Sequence, residues 1–422
     1  MKKTLIAFAA AAALTSSAFA EITFGAWLRA LTAPIANDGK DTVAAMGNSW
    51  GWGCRTARLN VNAAAEDGNI GFSMGVYNDA DMSISAGDEA YIWGKPVDAV
   101  KISMGKYDNN TLRGDCCYGS WNWLRPTSSW MIEDEGLLMS GNGGTGLLVE
   151  ATPVEGLYVQ ALVPAYKKNA DKALKAEEVY KNARAGFAYT IDGVGKLKAQ
   201  YIGSYTAKTE ASKGAWVDAK GNTTSFDGEK VAKTEISWDA DKVNAEVKAA
   251  FNKTLEAEFD LTAVENLWVG VGFQMKMYED KDANPDKEST KVALGAKYQA
   301  TDTVGISLSG AYQMYNKKKD DGGKDARFQF GAGVDAAVAD GVSVSADVRY
   351  LAKEKDVDNS DHIAFSVGAT KSISSNGYIG AAFQGQTNSG TFANNVIAGQ
   401  PDDDGKTNKF TWCVPVALSC WF

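Results

Sequence analysis

A chain of 422 residues with 52 acidic against 43 basic side chains has a formal charge of −9, which makes nucleic acid and anionic lipid headgroups poor partners. Hydrophobic residues make up 45% of it, yet no apolar run reaches the about 20 residues that a membrane-spanning helix needs. Five cysteines are too few for a disulfide scaffold, and their odd number leaves at least one unpaired.

Residues 1–20 read as an export signal. Lys2 and Lys3 precede an apolar run from Leu5 to Leu14, and Ala18-Phe19-Ala20 is a small-x-small site, so cleavage is expected after Ala20. The remainder, 21–422, has no Ser/Gly or charge-block linker. It is expected to form one domain.

From Glu21 onward the pattern has period two, the signature of strands with one apolar face. Ile22, Phe24, Ala26 and Leu28 interleave with Thr23, Gly25, Trp27 and Arg29. Ala57, Leu59, Val61 and Ala63 interleave with Thr56, Arg58, Asn60 and Asn62. Val100, Ile102 and Met104 stand against Lys101, Ser103 and Gly105. Leu255, Ala257, Phe259 and Leu261 stand against Glu256, Glu258, Asp260 and Thr262. Phe328, Phe330, Ala332 and Val334, then Val342, Val344, Ala346 and Val348, repeat the rule.

These apolar faces hold no Asp, Glu, Lys or Arg, whereas the alternate faces are Gly, Ser, Thr, Gln and mixed charge. A wet lumen behind a lipid-facing wall explains both. Trp93, Tyr205, Trp238, Trp268, Tyr278, Tyr350 and Trp412 lie near strand ends, where interfacial aromatic girdles are expected. Short connections (Glu66–Asn69, Lys95–Asp98, Asp192–Gly195, Asp239–Lys242, Thr301–Thr303, Ala339–Gly341, Ser374–Gly377) alternate with long ones such as Asp108–Gly143 and Ala207–Lys230. Pairing the strands gives about 18–20. The count rests on Asn252-Lys253 as an external hairpin with almost no loop, and it falls by two without that boundary.

The last fourteen residues, Lys409 to Phe422, form a closing strand whose apolar face runs Phe410, Trp412, Val414, Val416, Leu418, Cys420 and Phe422. Pro415 interrupts it and predicts a bulge, because Pro donates no ladder bond and a closed wall has no edge. With the signal peptide, the amphipathic strands and the sorted loops, this terminal aromatic resembles bacterial outer-membrane β-barrel porins. The resemblance implies an all-β, antiparallel up-and-down transmembrane barrel with short periplasmic turns and long external loops. It implies an outer-membrane location and a channel for passive diffusion of small hydrophilic solutes and ions, with no enzymatic activity, no cofactor and no metal. Trp412, Leu418 and Phe422 would then act as the assembly signal read by the barrel-insertion machinery. Porins of this kind often form homo-trimers. The rival reading is a surface adhesin or antigen whose loops carry the function.

In general porins the connection in the position of Asp108–Gly143 folds into the barrel, and here it holds Trp121, Trp123 and Trp130, too much apolar surface for water. Its Arg113 and Arg125 and its acidic run Glu133-Asp134-Glu135 are the candidate constriction residues, facing Arg29, Arg58 and Lys101 on the wall. Acids opposite bases would act as an electrostatic filter.

Other motifs fail on context. Gly71-Phe72-Ser73-Met74-Gly75 matches a nucleophile pattern that works only on a strand-to-helix turn, and here it is mid-strand. His362 is the single histidine. Gly141–Gly146 lacks the strand and helix that a dinucleotide loop needs, and Gly399–Thr407 has one residue too many for a phosphate loop. Arg113-Gly114-Asp115 is a three-residue match to an attachment motif. Cys54 could pair with Cys116 or Cys117, while Cys413 and Cys420 fall in the last strand and read as free or structural.

Overall fold

Alternating side chains sort into a dry face and a wet one only if neighbouring strands share parity, because a one-residue slip turns every side chain over. The wall keeps that parity. Leu59 pairs with Val76, Phe72 with Ile92 and Ile92 with Met104, apolar against apolar on the outer face. The computed structural model describes residues 20–37, 39, 41–45, 55–79, 84–114, 124–126, 137–164, 176–206, 212–218, 223–224, 236–244, 250–279, 287–316, 324–355, 360–387 and 410–422.

The wall starts with β1 (Ala20–Asn37), whose outer end is paired by the short β2 (Thr42–Ala45). It continues through β3 (Arg55–Ala65), β4 (Ile70–Asp79), β5 (Ile84–Val97), β6 (Val100–Tyr107), β7 (Gly144–Val154), β8 (Leu157–Val163), β9 (Arg184–Ile191) and β10 (Gly195–Thr206). Next, β11 (Ser212–Asp218), β12 (Thr223–Thr224) and β13 (Ile236–Asn244) form a separate three-stranded sheet. The wall resumes with β14 (Ala250–Val264), β15 (Leu267–Tyr278), β16 (Ser289–Gln299), β17 (Val304–Tyr315), β18 (Arg327–Ala339), β19 (Val342–Leu351), β20 (His362–Ser374) and β21 (Gly377–Gln386). It closes with β22 (Thr411–Cys413) and β23 (Val416–Trp421), which pair with β21 on one side and β1 on the other. All ladders are antiparallel. The main sheet has 20 segments. Because β2 is a flap and β22–β23 form one interrupted strand, eighteen staves ring the barrel among the described residues.

Two sequence expectations are corrected here. Asn252-Lys253 is no hairpin, since β14 runs straight through it and pairs Lys253 with Gly203 on one side and Met277 on the other. Asp239–Lys242 lies inside β13 and is no periplasmic turn. The barrel therefore has the lower count. An eighteen-stave wall remains even, so both its ends lie at the short-turn rim.

The bulge expected at Pro415 falls on the partner strand. Thr32 pairs with Val416 but Ala36 pairs with Cys413, so β1 carries one extra residue around Pro34. Two residues that cannot donate, Pro34 and Pro415, thus share the closure seam, and the slip spares the ladder a missing bond. The Val414 amide still reaches the Ile35 carbonyl at 3.0 Å.

Large apolar side chains stand outward, among them Ile92 at 62% exposure, Leu294 at 54% and Val367 at 57%. A closed wall is required where lipid offers no hydrogen-bond partner. At the short-turn end Gly68 has φ +67° and the Asp67 carboxylate accepts from the Asn69 amide, which fits a tight hairpin. At the long-loop end a short helix, α1 (Ala176–Lys181), lies beside β10, where a Cβ on Gly203 would collide with its last carbonyl. Lys181 bonds Glu177 at 2.8 Å, which holds its ammonium pKa above the ordinary value.

The aromatic expectations divide. Tyr350 lies beside Phe330 on the outer face, with ring centroids 5.4 Å apart, and Trp412 stacks on Phe383 at 5.7 Å. Trp93 and Trp268 are corrected to the lumen side, where they meet lysines and loop residues rather than lipid. Trp238 belongs to the separate sheet.

Candidate pore site

The connection from β6 to β7 enters the barrel. Its two ends are tied together first: the Asn142 amide donates to Asn109 O at 2.7 Å and the Gly114 amide to Met139 O at 2.9 Å. The Asn109 side chain then donates to Gln160 on β8 at 3.0 Å. From there the described stretches 108–114, 124–126 and 137–143 meet the wall from β9 round to β1.

Leucines make the dry contacts. Leu112, Leu124 and Leu137 are almost wholly buried, though no strand holds them. Leu137 and Leu138 pack with Ala293, Ala311 and Trp268, while Leu124 packs with Ala382, Ala417 and Trp27. Each seat is cut by a wall glycine. A Cβ on Gly272 would overlap the Leu137 carbonyl oxygen, and one on Gly380 would lie 2.6 Å from Leu124 Cδ1. Burying a leucine stabilises by roughly 2 kcal/mol, so these seats hold the connection against the wall.

Polar contacts fix its height. On β14, Glu256, Glu258 and Asp260 point inward at alternate positions, all nearly buried. Glu256 accepts from the Ser140 amide at 3.0 Å, the Ser140 hydroxyl at 2.9 Å, Gln200 at 2.6 Å and Gln274 at 2.8 Å. Lys198 bridges Glu258 at 2.9 Å and Asp260 at 3.1 Å, and its ammonium also donates to the Arg113 carbonyl at 3.5 Å.

The expected site residues are placed as follows. Arg125 is 3% exposed, with Nε 3.3 Å from Asp347 on β19 and its guanidinium paired with Asp335 on β18. Arg113 is half-buried against β10, which turns the first two residues of the Arg-Gly-Asp tripeptide towards the inner wall. Glu133, Asp134, Glu135 and the three loop tryptophans lie outside the described residues, as do residues 1–19, Cys54, Cys116, Cys117 and Gly399–Thr407. On the wall, Arg58 is held by Glu89 at 3.1 Å, Asp108 at 3.8 Å and Asp88 at 3.9 Å. Lys101 pairs with Glu150 at 3.2 Å, and Arg29 lies half-buried on β1 opposite Ser419. Arg125 thus sets a base of the loop against acids of the wall, whereas Asp108 at the start of the loop faces the wall base Arg58.

Sequence reasoning did not single out Lys198, Glu256, Glu258, Asp260, Asp335 or Asp347. One signal was available: three acids at alternate positions of an otherwise lipid-compatible strand have to face something polar. The run Leu137-Leu138-Met139 in a Gly-rich connection was a second.

Below the loop, towards the short turns, a cavity of about 800 Å3 is lined by Arg125, Trp268, Lys297, Gln299, Ser307 and Asp335. Elsewhere, Ser73 sits mid-strand and donates to Asn62 at 2.6 Å, and His362 stands at the long-loop rim with its Nδ1 3.4 Å from Thr387 O. Cys413 is buried and Cys420 partly so, both as free thiols. At the closing strand Leu418 and Phe422 face outward, and the Phe422 amide pairs with Ala26 O at 2.7 Å.

Residues 201–370 match the family model described as an outer membrane protein beta-barrel domain. No curated protein sequence matches the chain. Among solved structures, it is similar to an anion-selective porin from Comamonas acidovorans at 12% identity, covering 96% of this chain and 100% of that one with a TM-score of 0.46. It is also similar to the outer membrane channel DcaP of Acinetobacter baumannii at 11% identity, 96% and 99% coverage and a TM-score of 0.47. The in-vitro folded trimer form of OmpT from Vibrio cholerae aligns at 14% identity, 96% and 99% coverage and a TM-score of 0.42. The match over 201–370 agrees with the closed antiparallel wall and its apolar outer band: the chain is an all-β, antiparallel up-and-down barrel, similar over that stretch to outer-membrane β-barrel domains.

Proposed function

We propose that this barrel is a porin, a water-filled channel through which small hydrophilic solutes and ions diffuse passively, with no catalytic step. One observation carries the reading: the described stretches of the connection are seated inside a wide barrel, with Ser140 and Arg125 turned to acids of the wall. Strand side chains alone do not fill a barrel of this width, so the connection is what narrows the passage. In this reading residues 1–20 are removed on export, 21–422 form one barrel domain, and the closing strand with Trp412, Leu418 and Phe422 meets the insertion machinery. Assembly as a homo-trimer is part of the proposal. The constriction is assigned to Arg113, Arg125 and the run Glu133-Asp134-Glu135 against Arg29, Arg58 and Lys101.

Conductance of the purified barrel in a planar bilayer tests the function. Discrete, salt-dependent steps are expected, and a barrel that folds but passes no current would point to the adhesin reading, which the separate sheet β11–β13 favours. For the constriction, the combined Glu133→Gln, Asp134→Asn and Glu135→Gln variant should shift the reversal potential towards anion selectivity. An unmoved potential removes the acidic run from the filter.

A further inference from the structure

The lumen face of β5 and β6 holds a cluster that takes no part in the described loop contacts. Trp93 on β5 lies over Gly71, whose missing side chain makes the space, since a Cβ there would fall 2.5 Å from the indole ring. Two ammonium groups converge on that indole. Lys95 Nζ is 5.7 Å from its centroid and Lys101 Nζ is 5.8 Å away. Lys101 is also 5.8 Å from the Tyr91 ring. Among the described residues one carboxylate faces the pair, Glu150 at 3.2 Å from Lys101, and it is shared with the Tyr158 hydroxyl at 2.7 Å. Lys95 is exposed, and the indole is its described partner. The patch therefore combines a surplus positive charge with an apolar, planar surface, close to the Asp98–Ala99 turn and so to the exit of the pore.

Each feature selects for something different. Ammonium groups bind carboxylates by short, charge-assisted hydrogen bonds. An indole beside a phenol favours another planar ring, edge-on or offset. A neutral polyol would use the ring surface but leave the cations without a counter-charge, and a small inorganic anion would use only the cations. We propose that Trp93, Lys95 and Lys101 form a subsite for solutes carrying a carboxylate on a planar ring. The carboxylate bridges the two lysines while the ring lies against Trp93 and Tyr91. The subsite rests on the channel reading and deepens it by naming a solute class. Binding has to stay weak, because a conducting site must release what it holds.

Benzoate, acetate and benzyl alcohol are the probes, added to the wild-type barrel in a planar bilayer. Benzoate should reduce the potassium current at a concentration about tenfold lower than acetate, and benzyl alcohol should have little effect. Trp93→Ala should raise the benzoate concentration needed by about tenfold, and Lys95→Gln by a smaller factor. Equal blocking by benzoate and acetate, or a benzoate effect unchanged in both variants, overturns the subsite. Trp93→Phe, which keeps a ring over Gly71, controls for folding and should retain most of the effect. If the wild-type barrel passes no current, the channel reading fails on its own. Saturation-transfer NMR of benzoate with the detergent-folded protein then decides the subsite: a signal lost in Trp93→Ala supports it, and one absent or unchanged refutes it.

Discussion

Glu256 gathers donors from three places, the connection (Ser140), β10 (Gln200) and β15 (Gln274), within 2.6–3.0 Å. It is the residue at which the seat of the connection is most concentrated. Truncation leaves those donors without their acceptor, at a cost of about 2 kcal/mol in anchoring, while every wall ladder survives. Glu256→Ala should therefore raise open-channel current noise without lowering the temperature at which the heat-modifiable barrel unfolds. Unchanged noise would show that Ser140 needs no such anchor. Lys198 has the complementary task, since its one ammonium answers both Glu258 and Asp260.

Between elements, the contacts of β15 and of the closing strand make separable demands. Gly272 is lined up under Leu137, so a valine there has to push the connection off the wall, with an overpacking cost of about 1–3 kcal/mol. Gly272→Val should change single-channel conductance. Gly305→Ala should not, because its Cβ would meet only the Gln299 side chain at 3.4 Å. Equal conductance in all three proteins would mean that the seat does not shape the pore. In the proposed reading the closing strand answers to lipid and to export. Leu418→Asp puts a charge on the outer face, costing on the order of 1–2 kcal/mol, and deletion of Phe422 removes the terminal pair with Ala26. Both should lower outer-membrane levels and leave periplasmic aggregates; normal heat-modifiable barrel from both would remove the closing strand from assembly.

Across the whole molecule, parity decides what touches lipid and what touches water. Single cysteines replacing Ala332 and Val344, in a background without the native cysteines, should resist water-soluble thiol reagents in the membrane. Cysteines replacing Gly331 and Ser345 should react, as positions on the lumen face of β18 and β19. The cross-strand pairs Ala332 with Val348 and Ser345 with Asp335 set these faces. Similar labelling of the two sets would overturn this assignment of faces.

The barrel, its polar inside and its sorted connections were legible in the sequence, because strand alternation and turn chemistry are local and lipid forbids charge along a whole face. The same rule misled at 236–244, where strand-like residues form a sheet of their own: periodicity says that a segment is extended, not which strand it pairs with. What the connection touches inside the barrel was decided by the tertiary structure alone. Arg125 and Asp335 are 210 residues apart in the chain and Ser140 and Glu256 are 116 apart. Such pairs exist only once the wall has closed and brought β14 and β18 round to face the entrance of β6.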